Sequence, residues 1–147
     1  MNIYMDACCY NRPMDDQNQD RIYMESEAIK AILLKCEQGS WRLFGNNVLE
    51  YELNNNPDFE KKRKAFILYS CVSEKYDLSD DIRLRANEFE KAGITSLDSL
   101  HLAMAEYSKV DVLLTVDDKF IKLSTKANAG VKIINPVNWL MEVLEYE

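Results

Sequence analysis

The chain is poor in the residues on which much nucleotide and acyl-transfer chemistry depends. It has 4 glycines, 3 prolines and 1 histidine in 147 residues. Gly39, Gly45, Gly93 and Gly130 form no G-x-G-x-x-G, no P-loop and no G-x-S-x-G elbow, which excludes those phosphate cradles and that serine hydrolase turn. With His101 as the single histidine, catalysis by a histidine pair and a histidine-rich zinc site are excluded. Cys8, Cys9, Cys36 and Cys71 have no C-x-x-C spacing and read as reduced, buried thiols. No run approaches the roughly 18 apolar residues of a membrane helix. The opening Met-Asn-Ile-Tyr-Met-Asp has too short an apolar stretch, and no basic lead, for a secretion signal. The expectation is a cytoplasmic protein without membrane contact.

What is present fits one globular domain over residues 1–147. Hydrophobic residues make up 47% and charged residues 29%, enough to bury a core without disulfides or a structural metal. Lys+Arg number 18 against 25 Asp+Glu, a formal net charge of -7. That excludes a protein that grips nucleic acid mainly by bulk positive charge. It leaves open an acidic protein that gathers carboxylates around a divalent cation, because the metal reverses the local sign.

Hydrophobic periodicity alternates strands with helices. Residues 1–5 read as a buried strand, followed by a loop rich in turn residues and a helix over about 17–37 that Gly39 ends. The apolar stripe of that helix is Ile22, Ile29, Ile32, Leu33 and Cys36. A strand follows at 41–45, then a short helix that Asn46 or Asn47 caps, a helix over 58–70 and a weak strand at 71–76. Ser79 starts a helix with Ile82, Ala86 and Phe89 inward, which Gly93 stops. Thr95 or Ser96 starts a helix to about 108 that is apolar nearly all round and therefore central. Strands at 110–116 and 131–134 close the pattern, before a last helix from Pro136 with a stripe of Val137, Leu140, Met141 and Leu144. The alternation predicts a three-layer α/β/α sandwich with a mostly parallel sheet. Sites in such sheets form at the carboxyl ends of strands, where the strand order reverses.

Several acids fall on that edge. Asp6 and Asp117 directly follow apolar strands, and Asp98 lies in the first turn of its helix. The helix after the second strand carries Glu50 and Glu52, about 200° apart, so both cannot face inward. Glu52 shares a face with Val48 and Leu49 and is the inward candidate. Four clustered carboxylates repel one another unless a cation lies among them. Hard oxygen donors favour Mg2+ or Mn2+, and such clusters handle phosphates.

Four segments, in chain order, resemble the PIN-domain family, metal-dependent ribonucleases found in many bacterial toxin–antitoxin pairs. Ile3-Tyr4-Met5-Asp6 resembles the first-strand Asp motif, and Asn46-Asn47-Val48-Leu49-Glu50-Tyr51-Glu52 the helical Glu segment, with Asn46 where Ser or Thr is common. Asp98-Ser99-Leu100-His101-Leu102-Ala103 resembles the D-A-L-H-L-A helix start, and Leu114-Thr115-Val116-Asp117-Asp118 the T-x-D strand end. Cys8-Cys9-Tyr10-Asn11-Arg12-Pro13 with Asp15-Asp16-Gln17 resembles a bacterial subgroup. The resemblance implies a parallel sheet between helices and a Mg2+ or Mn2+ site that hydrolyses RNA phosphodiesters. Asp6, Glu52, Asp98 and Asp117 would be the catalytic acids, with Asp6, Asp98 and Asp117 as metal ligands. Thr115 would hydrogen-bond a ligand carboxylate, with Asp118 beside it. The implied partners are an RNA substrate, an antitoxin protein and a second copy of the chain.

Plainer duties compete. Asp98 could complete a capping box with Thr95, and Asp117 or Asp118 could cap the next helix. Asp6 has no evident capping duty. His101 reads as a structural, buried histidine; its alternative is to orient a carboxylate. The basic run Lys61, Lys62, Arg63 and Lys64 reads first as a solvated helix face, and more sharply as an RNA contact together with Arg12. An inactive PIN-like module that binds RNA or protein is the alternative function. A phosphatase of the D-x-D type lacks its second Asp in Asp6-Ala7-Cys8, and a receiver domain would have only Asp77 to phosphorylate.

Overall fold

Ile3, Tyr4 and Met5 are wholly buried, as the first strand of a sheet covered on both faces must be. The structure, a computed structural model, describes residues 1–145. Its elements run β1 (Asn2–Met5), α1 (Ala7–Asn11), α2 (Asp20–Glu37), β2 (Arg42–Asn46), α3 (Asn47–Asn54), α4 (Phe59–Tyr69) and β3 (Glu74–Tyr76). They continue through α5 (Asp80–Lys91), α6 (Ser96–Ser108), β4 (Val112–Leu114), α7 (Asp118–Lys126), β5 (Lys132–Ile134) and α8 (Pro136–Glu145). The five strands lie in the order β3-β2-β1-β4-β5, every pair parallel. By the right-handed crossover rule, the helices of the β1–β2 and β2–β3 connections belong on one face and those of the later connections on the other. The sheet is thus the middle of three layers, as the alternating pattern predicts. The strand order reverses between β1 and β4, so Asp6 and Asp117 leave neighbouring strands at the same edge.

Several boundaries differ from the sequence reading for identifiable reasons. The segment after β1 is not a loop: α1 starts at once because the Asp6 side chain accepts the Ala7 amide, and a 3-10 turn over Arg12–Met14 follows. α2 begins at Asp20 instead of near 17. The Gln17 amide donates to the carbonyls of Arg12, Pro13 and Asp15 at 3.2, 3.3 and 2.9 Å and holds the chain in a turn. On α8 the buried residues are Pro136 and Trp139, with Leu140 and Val143 partly covered, whereas Met141 and Leu144 are exposed. Trp139 stacks edge-on against Trp41, ring centroids 5.0 Å apart, and that contact sets the helix's rotation.

One glycine is dictated by packing. A Cβ on Gly45 would collide with the Tyr69 hydroxyl and approach Val72 Cγ1 to 2.9 Å. The bare backbone lets Tyr69 cross β2 and reach the Asn46 amide at 3.1 Å. Among the described residues no helix is long and apolar enough to cross a membrane.

Candidate metal centre

The site forms where β1 and β4 end side by side. Asp6 is 4% exposed. Its Oδ1 accepts the Ala7 amide at 2.8 Å, and its Oδ2 accepts the Thr115 hydroxyl at 3.0 Å. Thr115 Oγ1 also accepts the Asp117 amide at 3.2 Å. One hydroxyl thereby links the ends of the two strands and fixes where Asp117 leaves the sheet. Asp117 is exposed, and its Oδ1 caps α7 by accepting the Phe120 amide at 3.1 Å.

The third and fourth acids arrive on helix starts. Asn46 caps α3 by accepting the Leu49 amide at 2.8 Å, and one turn later Glu52 faces the interior. Glu50 turns the other way, to the Tyr69 hydroxyl at 2.8 Å and Lys75 at 3.4 Å. Thr95 caps α6, which puts half-buried Asp98 in its first turn. The charges of Asp6 and Asp117 both act on Asp98, which lies within electrostatic reach of them.

His101 does more than fill the core. It is wholly buried, with Nδ1 2.6 Å from the Tyr4 hydroxyl and Nε2 2.9 Å from Glu52 Oε1. Asp6 Oδ1 lies 3.8 Å from the same Nε2, too far for a hydrogen bond but near enough to feel its charge. One donor atom each of Asp6, Glu52 and His101 lies within 4.8 Å of the others. The sequence reads His101 first as structural, and its alternative there, orienting a carboxylate, is the contact the structure has with Glu52. The usable signal was its position one turn after Asp98 on the same helix face.

Electrostatics mark the cluster as unneutralised. Burial raises the Asp6 carboxyl, and Glu52 raises it further, against the His101 charge and the Thr115 hydrogen bond. Asp98 is pushed up to about 6, first by burial and then by Asp6. For His101 burial opposes the charge, but the bond to Glu52 and the nearby acids raise it overall. Among the described residues no lysine or arginine pairs with Asp6, Glu52, Asp98 or Asp117. Carboxylate oxygens held close without a lysine or arginine form a donor set suited to a hard divalent cation.

Other expected residues lie elsewhere. Asp118 points away from the cluster and takes Arg21 at 2.7 and 2.8 Å. Arg12 is held by Asp15 at 3.0 Å and by the buried Glu25 at 3.2 Å. Lys61, Lys62 and Lys64 lie on α4, which packs on α1 and α3, with Lys61 and Lys64 exposed and Lys62 half-buried.

No protein-family model and no curated protein matches the chain. Solved structures do. The chain is similar to VapBC2 from Rickettsia felis, in a structure bound to a DNA fragment from its promoter, with 14% identity and a TM-score of 0.59. That likeness covers 92% of this chain and 98% of the other. A second likeness, to PAE2754 from Pyrobaculum aerophilum, has 18% identity and a TM-score of 0.57 over 100% of this chain and 91% of that one. At such identities the likeness is one of fold, and it spans essentially the whole chain.

Proposed function

We propose that this chain, which has the PIN-domain fold, is a nuclease that hydrolyses RNA phosphodiester bonds with Mg2+ or Mn2+. The observation that supports this reading is the closeness of the Asp6 and Glu52 carboxylates at the β1–β4 switch point, with Asp117 leaving the neighbouring strand, Asp98 within reach of both the Asp6 and Asp117 charges, and no lysine or arginine paired to them among the described residues. Asp6, Asp98 and Asp117 would hold the cation, with Glu52 completing the site. Such an ion, when bound, polarises a phosphate oxygen and makes water a better nucleophile at neutral pH.

The chain's own groups do the rest. Thr115 holds Asp6 Oδ2 and the Asp117 amide at once, so two candidate ligands keep a fixed relation. The caps on α3 and α6 set the directions of Glu52 and Asp98. Lys61, Lys62 and Lys64 are the candidate contacts to the RNA backbone; Arg12 is a lesser one, because Asp15 and Glu25 already occupy its guanidinium. The fold likeness to VapBC2 supports an antitoxin-like protein partner and a toxin role. A homodimer is a further proposed assembly, and the cytoplasm is the proposed location.

The test is cleavage of single-stranded RNA by the purified chain with Mg2+ or Mn2+, beside EDTA and Asp6→Asn controls. The expected products carry a 5′-phosphate, and a 2′-deoxy linkage at the scissile position is still cut. Cleavage that survives both EDTA and Asp6→Asn overturns the reading. Tight RNA binding without cleavage under any divalent ion favours a catalytically inactive PIN-like binding module.

A further inference from the structure

A chain of side-chain hydrogen bonds runs from α3 to Glu52, and the amide at its start sets the direction of its last bond. It starts at a backbone amide. Leu49 N–H donates to Asn46 Oδ1 at 2.8 Å, so that oxygen is identified as the acceptor end of the amide. The other end, Nδ2, therefore faces the Tyr4 hydroxyl at 3.1 Å and donates to it. Tyr4 has one hydrogen of its own, and the remaining partner at its oxygen is His101 Nδ1, 2.6 Å away. When the ring is neutral, Nδ1 accepts that hydrogen. In a neutral imidazole the ring hydrogen is then on Nε2, which faces Glu52 Oε1 at 2.9 Å. A doubly protonated ring also carries a hydrogen on Nε2, so the bond to Glu52 has the same direction in either state.

From this geometry we propose that His101 is a positioning residue: it donates its Nε2 hydrogen to Glu52, aims that carboxylate into the cluster, and is not itself a metal ligand. The closeness of Asp6, Glu52 and His101 donor atoms suggests a three-residue site with an imidazole ligand. The hydrogen-bond directions remove the imidazole, because a nitrogen that carries a hydrogen has no lone pair for a cation. The donor set is then oxygen alone, supplied by Asp6, Glu52, Asp98 and Asp117. This rests on the metal-dependent reading above, but the direction of the His101 bond belongs to the metal-free chain and is measurable without any ion.

Because His101 is the only histidine in the sequence, its ring nitrogens are assigned without ambiguity in the full-length chain labelled with nitrogen-15. Imidazole proton–nitrogen spectra are recorded without metal and again at saturating Mg2+, with Mg2+ affinity measured by calorimetry. The expected result is a protonated Nε2 in both spectra. His101→Gln should weaken Mg2+ binding roughly 10–100-fold without changing its stoichiometry, the range seen when a group supporting a ligand is removed. A bare Nε2 in the metal-free chain, or loss of its hydrogen when Mg2+ binds, overturns the proposal. So does a folded His101→Gln chain with undiminished Mg2+ affinity. If that variant does not fold, the two spectra of the unaltered chain decide. A chain that binds no Mg2+ yet keeps the Nε2 hydrogen overturns the metal reading while supporting the His101–Glu52 bond.

Discussion

Two buried carboxylates lie in this molecule in opposite company. Glu25 is 1% exposed and Asp6 is 4% exposed. Around Glu25 the protein has placed its own cations: Arg12 at 3.2 Å, Arg21 at 3.1 Å, and an amide hydrogen from Asn135 at 2.6 Å. Around Asp6 it has placed Glu52, Asp98 and a histidine, with no arginine or lysine paired to the acids among the described residues. A carboxylate that closes on arginines ties α2 to the 3-10 turn and to the end of β5; its charge is used up inside the fold. A carboxylate pressed against other carboxylates has negative charge left over, and that surplus is what a divalent ion can answer.

The largest test of this contrast is chemical. Asp6→Asn should lower RNA cleavage by at least about a hundredfold, on the order of losing a main electrostatic group from a site. The variant should melt no lower than the unaltered chain in EDTA, since an uncharged amide can still cap α1. Glu25→Ala should do the reverse. Mg2+ affinity should be retained, but urea unfolding should reveal a loss of about 3 kcal/mol, because Arg12 and Arg21 lose the partner they surround. An equal stability loss in both variants would erase the distinction.

Added metal sharpens it further. At a hundred times its dissociation constant, Mn2+ should raise the unfolding free energy by about 2.7 kcal/mol. The gain should persist in Glu25→Gln and vanish in Asp6→Asn, read by thermal melts with and without EDTA.

The acid response should also divide. Asp98 is raised to about 6 in the fold, so in EDTA its stabilising share is complete below its ordinary value and lost as the pH rises through about 6. Glu106 has the opposite sign. Arg85, with the Gly130 amide, holds it below the usual carboxylate range, so its share is present near neutrality and lost as the pH falls through that depressed value. Asp98→Asn should flatten the first limb and Glu106→Gln the second, in unfolding curves against pH. The Glu106 effect should be the smallest, under about 1 kcal/mol, because its partner is partly solvated.

Much of the arrangement was readable residue by residue. An apolar run that ends in Asp is a strand with an acid at its carboxyl edge, which located Asp6 and Asp117. Helical phase separated Glu52 from Glu50, and the structure has them facing opposite ways. What escaped reading depended on contacts between distant segments. The capping duty of Asp6 is invisible in the sequence because nothing in Ala7–Asn11 marks a helix there. Nothing local in the sequence announces that Arg12 and Asn135 will meet Glu25. On α8, Val137 and Leu140 are partly covered as the stripe implies, but Met141 and Leu144 are exposed and Trp139 is buried against Trp41, far away in sequence.

Alternating strands and helices, helix starts at Asn46 or Asn47, at Ser79 and at Thr95 or Ser96, and acids placed at element ends came from the chain alone, because strand periodicity and capping act over a few neighbouring residues. Which strand lies beside β1 was a tertiary decision. Only because β4 pairs there does the Thr115 hydroxyl meet Asp6 across 109 residues of sequence, and only because α3, β1 and α6 converge does a backbone amide fix where the His101 hydrogen points. Strand pairing is set by the whole fold, and no local pattern encodes it.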